Sequence, residues 1–182
     1  MNPAALFGIS ALTSLAGYAT LATIYVWPRL RAMDRERALA ALVAPHLFLR
    51  FIGLSFLVPG VVSPSLPRAF AVPAAYGDLV AGLLAIAAML ALWRRVPRAT
   101  ALVWVFNVWG AADLLFAFFQ GGRLGIDPGA FGAAFFLPTA IVPFLLVTHA
   151  LAFRVLVPAR RQREPRRGVT ARAADALTEG HA

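Results

Sequence analysis

The sequence contains no cysteine and no lysine. The absence of cysteine excludes disulfides, thiolate nucleophiles and cysteine-ligated metal or iron–sulfur sites. Charged residues make up only 14% of the 182 residues, whereas soluble domains average about 25%. Apolar residues reach 60% and the mean hydropathy is +0.75. A lipid bilayer is therefore the expected solvent, and membrane lipids are expected partners.

Five apolar stretches have the length that a membrane-spanning helix needs. A hydrocarbon core about 30 Å thick requires roughly 20 helical residues. The stretches are Ala4–Trp27, Leu39–Val62, Pro73–Trp93, Thr100–Phe119 and Ala130–Val157. They predict an all-α, polytopic helical bundle of about five transmembrane helices, forming one domain over residues 1–157. Pro138 and Pro143 each remove a backbone donor and predict a kink in the fifth helix.

The arginines predict the orientation of this bundle. The net charge is +9, but the arginines lie between and after the apolar stretches, so no nucleic-acid partner is expected. Thirteen of the 17 arginines fall on one side of the predicted membrane: Arg29, Arg31, Arg35, Arg37, Arg94, Arg95, Arg98, Arg160, Arg161, Arg163, Arg166, Arg167 and Arg172. The positive-inside rule then places the N-terminus outside and the C-terminus in the cytoplasm. We expect a multi-pass protein of the inner (plasma) membrane.

Residues 158–182 are basic, then polar and rich in alanine. They predict a flexible cytoplasmic tail. Its arginines act as a topology determinant or additionally bind anionic lipid, because basic residues at the cytoplasmic surface gain about 1 kcal/mol each there.

Polar side chains deep in the apolar stretches are the candidate functional residues, since such groups are costly in lipid and usually face an interior or a cavity. Counting about 1.5 Å per residue from the cytoplasmic edge predicts two layers. The candidates are His46, Asn107 and His149 in the inner layer, Arg50 and Asp113 in the middle layer, Trp109 beside Asp113, and Asp78 as a secondary candidate.

Arg50 is the most informative of these residues. A lone arginine at mid-bilayer costs roughly 2.5 to 3.5 kcal/mol, so an acidic partner is expected, with Asp113 ahead of Asp78. Asp78 has the alternative of capping the start of the third helix. The Arg50–Asp113 pair either sets helix register alone or also holds a substrate. Trp109 predicts either an aromatic wall of a pocket or ordinary helix packing.

The two histidines have three interpretations. His46 and His149 form hydrogen bonds to carbonyls or Asn107, or they relay protons and contact a substrate, or they ligate a haem from both faces. No other cofactor is expected. No metal site is predicted either, because no His pair at i, i+4 and no carboxylate cluster is present.

A face of small residues predicts close packing of the third helix. Gly77, Ala81, Ala85 and Ala88 recur at spacings of four and three residues. Such a face lets a neighbouring helix approach closely.

No catalytic fingerprint such as a P-loop, a G-x-S-x-G elbow or H-E-x-x-H is present. The leading hypothesis is a polar intramembrane site that binds a small or amphiphilic molecule, for transport or sensing, and opens toward the cytoplasmic half. In it Arg50 holds an anionic group and Asp113 balances Arg50. A transporter with five spans would need to form a homo-oligomer. The alternatives are a membrane-embedded acid–base enzyme acting on a lipid or isoprenoid, a bis-His haem electron carrier, and a structural or assembly partner.

Overall fold

The computed structural model describes residues 2–157. Within this range it contains no β-strand and five helices long and apolar enough to cross a membrane. These are α1 (Pro3–Ala32), α2 (Arg35–Leu57), α3 (Arg68–Trp93), α4 (Ala99–Arg123) and α5 (Leu137–Leu156). The predicted all-α bundle is confirmed for this part of the chain. The predicted flexible tail, residues 158–182, lies outside the described residues.

Two helix boundaries differ from the prediction because of proline. α1 ends at Ala32 and not at the predicted Trp27. A π-helical turn at Ala22–Val26 precedes Pro28, and the helix continues beyond it. A proline ring collides with the carbonyl four residues earlier, and the wider turn that precedes Pro28 accommodates it. The predicted start of the third helix at Pro73 is wrong. α3 begins at Arg68, because the extended backbone of Pro67 leads directly into the helix.

α2 changes its helical type along its length. It is α-helical at Arg35–Val43 and His46–Leu49, and it tightens to a 3₁₀-helix at Arg50–Leu57. Residues three apart in a 3₁₀-helix lie on the same face. Arg50, Gly53 and Phe56 are accordingly the buried residues of this segment. The helix ends at Leu57 rather than at the predicted Val62.

The predicted fifth stretch consists of two pieces. A 3₁₀ segment at Pro128–Phe135 is interrupted at Gly132, which has a φ of 52°, and α5 then begins with a π-helical turn at Leu137–Ile141. The stretch is therefore not one helix, and its π-helical turn contains Pro138, one of the two prolines expected to disturb it. A Cβ at Gly132 would lie 2.5 Å from the Val61 carbonyl oxygen. Glycine therefore lets this segment close on the connection between α2 and α3.

The buried core divides into an aliphatic end and an aromatic end. Ala85 and Ala88 of α3 pack with Val103 and Phe106 of α4, near the connection between these helices. Ala81, Ala85 and Ala88 are each fully buried, which confirms the predicted close-packing face. The opposite end of the bundle, at the α2–α3 and α4–α5 connections, holds a cluster of phenylalanines.

Replacing Ala85 with leucine tests this close packing. Added methylenes in a packed core cost about 1 to 3 kcal/mol, so Ala85→Leu should lower the free energy of unfolding by that amount, measured by chemical denaturation in detergent micelles. Ala87→Leu is the matched control, because Ala87 is exposed on the same helix. Equal losses in the two variants would contradict the packing described here.

Candidate functional site

Arg50 lies at the centre of the bundle, where two carboxylates share one of its nitrogens. Its side chain is fully buried. Nη1 donates to Asp78 Oδ1 of α3 at 2.6 Å and to Asp113 Oδ2 of α4 at 2.9 Å. Arg50 thus pairs with both acids, so the expected preference for Asp113 over Asp78 is wrong. Asp78 does not cap the third helix either, because it lies well inside α3.

The remaining donors of Arg50 are also used. Nη2 donates to the Gly110 carbonyl at 2.6 Å and to His149 Nε2 at 2.9 Å. Nε donates to His46 Nδ1 at 3.4 Å. A guanidinium carries five N–H donors, and here each has an acceptor. One side chain of α2 therefore connects α3, α4 and α5.

The hydrogen bonds assign the tautomers of both histidines. Arginine can only donate, so His46 Nδ1 and His149 Nε2 must accept. The other nitrogens then donate, His46 Nε2 to Thr148 Oγ1 at 2.9 Å and His149 Nδ1 to Asn107 Oδ1 at 2.7 Å. Asn107 Nδ2 returns a bond to the His149 carbonyl at 3.3 Å. The two predicted layers are one continuous network joined by Arg50.

The two imidazoles are in mutual contact, which does not favour the haem alternative. Their ring centroids are 4.4 Å apart, and both rings lie against Phe106 at 4.9 and 5.2 Å. A haem ligated from both faces would require these two rings to move apart. The interpretation as hydrogen-bonded imidazoles is supported. His149 bonds to Asn107, as expected. The partner of His46 is Thr148, which was not predicted.

Three glycines make room for this network. A Cβ at Gly53 would overlap the Asp78 carboxylate, and a Cβ at Gly77 would overlap the Asp113 carboxylate. At Gly110 it would lie 2.6 Å from His149 Cε1. Gly77 was predicted as a packing residue, but Gly53 was not, because its spacing of three from Arg50 places the two residues in line only in a 3₁₀-helix.

Trp109 lies on the outer side of the network. Its side chain is about half exposed, and its Nε1 donates to the Gly77 carbonyl at 3.4 Å. Together with Asp113 and Tyr76 it lines a groove between α3 and α4. Trp109 is thus brought close to Asp113, as expected, but it faces the surface of the bundle and not Arg50.

A cavity of about 220 Å³ adjoins the two carboxylates. It occupies the aromatic end of the bundle, whereas the sequence analysis expected a site that opens toward the cytoplasmic half. An apolar cavity of about 150 Å³ holds benzene, so this one has room for a ring with a small head group. Its lining residues are Ala4, Phe7, Phe56, Phe70, Ala74, Asp78, Asp113, Leu114, Ala117, Phe118, Gly121, Gly122, Ile126, Pro128, Phe131, Pro138 and Val142.

A molecule in this cavity would meet the carboxylates and not Arg50. The side chains of Asp78 and Asp113 remain 12% and 11% exposed, whereas that of Arg50 is 0% exposed. Every donor of Arg50 already has a protein acceptor. The expected role of Arg50 in holding an anionic group is therefore not favoured.

Two sets of residues spaced four apart line the cavity, and neither set was predicted to form a binding surface. Phe70, Ala74 and Asp78 recur at a spacing of four along α3, and Asp113, Ala117 and Gly121 do the same along α4. Residues four apart lie on one face of an α-helix. All six line the cavity. Small and aromatic residues on the same helix face as an intramembrane aspartate are therefore the sequence pattern that could have predicted the cavity.

The chain belongs to the family described as a domain of unknown function (DUF8737), whose model matches residues 6–157. The matched residues include all the members of the network and nearly all of the cavity wall. No curated protein matches the chain, and no solved structure matches it.

Replacing Arg50 with methionine tests the network. The change leaves two partly buried carboxylates without a counter-charge, and breaking such an arrangement costs about 3 to 5 kcal/mol. Arg50→Met should therefore lose that much free energy of unfolding in micelles. Arg37→Met is the matched control, because Arg37 pairs with Asp34 at the exposed surface and should change stability by less than about 1 kcal/mol.

The triple variant Arg50→Met/Asp78→Asn/Asp113→Asn separates charge from packing. It removes the unpaired carboxylates, so it should recover a large part of the loss. Equal stability of the single and triple variants would show that the carboxylates do not depend on Arg50.

The glycines give a second test of the same site. Gly77→Ala forces a methyl group into the Asp113 carboxylate, and Gly110→Ala forces one into the His149 ring. Each should lower the free energy of unfolding by about 1 to 3 kcal/mol. The thermal unfolding midpoint should fall by several degrees. Gly17→Ala in α1 is the control, since its Cβ would meet nothing within 4 Å. It should be neutral or stabilising by up to about 1 kcal/mol. A loss at Gly17 equal to that at Gly77 and Gly110 would contradict the steric argument.

Proposed function

We propose that this chain is an integral protein of the inner (plasma) membrane whose cavity binds a small amphiphilic molecule, for transport or sensing. The N-terminus lies outside and residues 158–182 lie in the cytoplasm. The single observation that carries the proposal is the pair of carboxylates, Asp78 and Asp113, in the wall of an otherwise apolar cavity. Pockets of this kind, apolar with a few convergent polar groups, are typical of small-molecule sites.

The proposed orientation is supported by the ends of the bundle. The arginines of the α1–α2 and α3–α4 regions lie at the aliphatic end, where α1, α3 and α5 finish. Trp93 is 74% exposed at this end, and the Arg154 guanidinium lies 3.9 Å from the centre of the Trp27 ring. Tryptophan is enriched at both membrane interfaces, and arginine is enriched on the cytoplasmic side, so the arginines indicate which interface this is.

A second candidate function is a membrane-embedded acid–base enzyme acting on a lipid or isoprenoid. Asp113 favours it, because this residue lines both the cavity and the groove between α3 and α4. A substrate entering from lipid through the groove could reach this carboxylate. His46 and His149 are behind Arg50 and are almost completely buried, so Asp113 is the candidate general base.

Filling the cavity tests the proposed binding function. Ala117 lies in the cavity wall, and Ala117→Phe places a ring in the space that a ligand would occupy. We expect the parent protein, purified from its own membranes, to release a small molecule in near-stoichiometric amount on denaturation, measured by mass spectrometry. The same molecule should be lost from Ala117→Phe.

The matched control is Ala101→Phe, an exposed position of the same helix far from the cavity. It should retain the molecule. Release of the same molecule in the same amount from both variants, or from neither variant nor parent, would contradict binding in the cavity.

A further inference from the structure

We propose that the ligand of this cavity is an organic monocation, with an apolar body the size of one aromatic ring and an ammonium head that the carboxylates of Asp78 and Asp113 receive. This inference rests on the proposed binding function and names its substrate class.

The charges at the cavity floor do not balance. One guanidinium, that of Arg50, faces two carboxylates at 2.6 and 2.9 Å. Among residues 2–157 no other charged side chain lines the cavity, and the imidazoles of His46 and His149 accept bonds from Arg50 in their neutral form. With both acids ionised, a net charge of −1 remains in a poorly solvated site, which is costly. A bound monocation removes it.

In the described part of the chain, the cavity wall offers hydrogen-bond acceptors and no side-chain donors. Each carboxylate gives one oxygen to Arg50, whereas Asp78 Oδ2 and Asp113 Oδ1 receive no hydrogen bond from residues 2–157. The other lining residues are alanine, glycine, proline, leucine, isoleucine, valine and phenylalanine, whose side chains have no polar hydrogen. A ligand that fits must therefore donate or carry positive charge. An anion would meet only repulsion.

The remaining wall suits a cation with an apolar body. The rings of Phe7, Phe56, Phe70 and Phe131 form one cluster with centroids between 5.5 and 6.1 Å apart. Aromatic faces attract ammonium groups and also bury apolar ligand surface. Carboxylates beside phenylalanines thus match both parts of an aryl or alkyl ammonium ion.

Three small molecules that share one ring and differ in head-group charge test the inference. Benzylammonium, benzyl alcohol and benzoate carry charges of +1, 0 and −1 near neutral pH. Binding to the full-length protein in zwitterionic nanodiscs is measured by isothermal titration calorimetry, with empty nanodiscs subtracted. We expect benzylammonium to bind at least about tenfold more tightly than benzyl alcohol, because hydrogen bonds between ionised groups are stronger than those of a neutral hydroxyl. Benzoate should not bind.

Three variants locate the effect. Asp113→Asn should reduce benzylammonium binding to the level of benzyl alcohol, whereas Asp34→Asn, the same change at an exposed helix cap, should leave it unchanged. The head-group comparison in the parent protein needs no variant, so the inference remains testable if Asp113→Asn does not fold. Ala117→Phe should abolish binding of both benzylammonium and benzyl alcohol.

The outcomes separate this inference from the function on which it rests. If benzyl alcohol binds as tightly as benzylammonium and Ala117→Phe abolishes both, the cavity is a binding site but a proton neutralises the second carboxylate, and the cation inference is overturned. If Ala117→Phe changes the binding of no probe, the cavity is not a binding site, and the proposed function fails as well.

Discussion

The buried guanidinium of Arg50 is the interaction on which the rest of the structure depends. It donates to carboxylate, imidazole and carbonyl acceptors on α2, α3, α4 and α5. Removing a charge from water is costly, and that cost is offset only when all the donors are satisfied. The bonds from Arg50 fix the tautomers of both histidines. The glycines at 53, 77 and 110 leave the space that the partners of Arg50 occupy.

The network has two sides with different chemical properties. Toward the aliphatic end it consists of His46, His149, Asn107 and Thr148, which are buried and bonded to one another or to the backbone. Toward the aromatic end it presents the carboxylates of Asp78 and Asp113 to the cavity. The buried side positions Arg50, and Arg50 positions the two acids. In the function proposed here only the acids and the phenylalanines meet a ligand.

The sequence predicted the helices and most members of the network, but not their arrangement. Hydropathy and helix length identified five helices, and the rarity of charge in apolar stretches identified Arg50 and its neighbours. Helix periodicity of 3.6 could not reveal that Gly53 and Phe56 share a face with Arg50, because the segment is a 3₁₀-helix. The cavity at the aromatic end was not predicted, because depth along each helix was considered without the small and aromatic residues that share a face with each aspartate.

The central claim is that Arg50 is shared by two carboxylates, and solid-state NMR can measure it directly. In protein labelled with ¹⁵N-arginine and ¹³C-aspartate, rotational-echo double resonance reports which carboxyl carbons lie beside a guanidinium nitrogen. The Asp78 and Asp113 signals are assigned from Asp78→Asn and Asp113→Asn. We predict strong dephasing of both carboxyl carbons in the parent protein. Dephasing of only one, or of neither, would contradict the account.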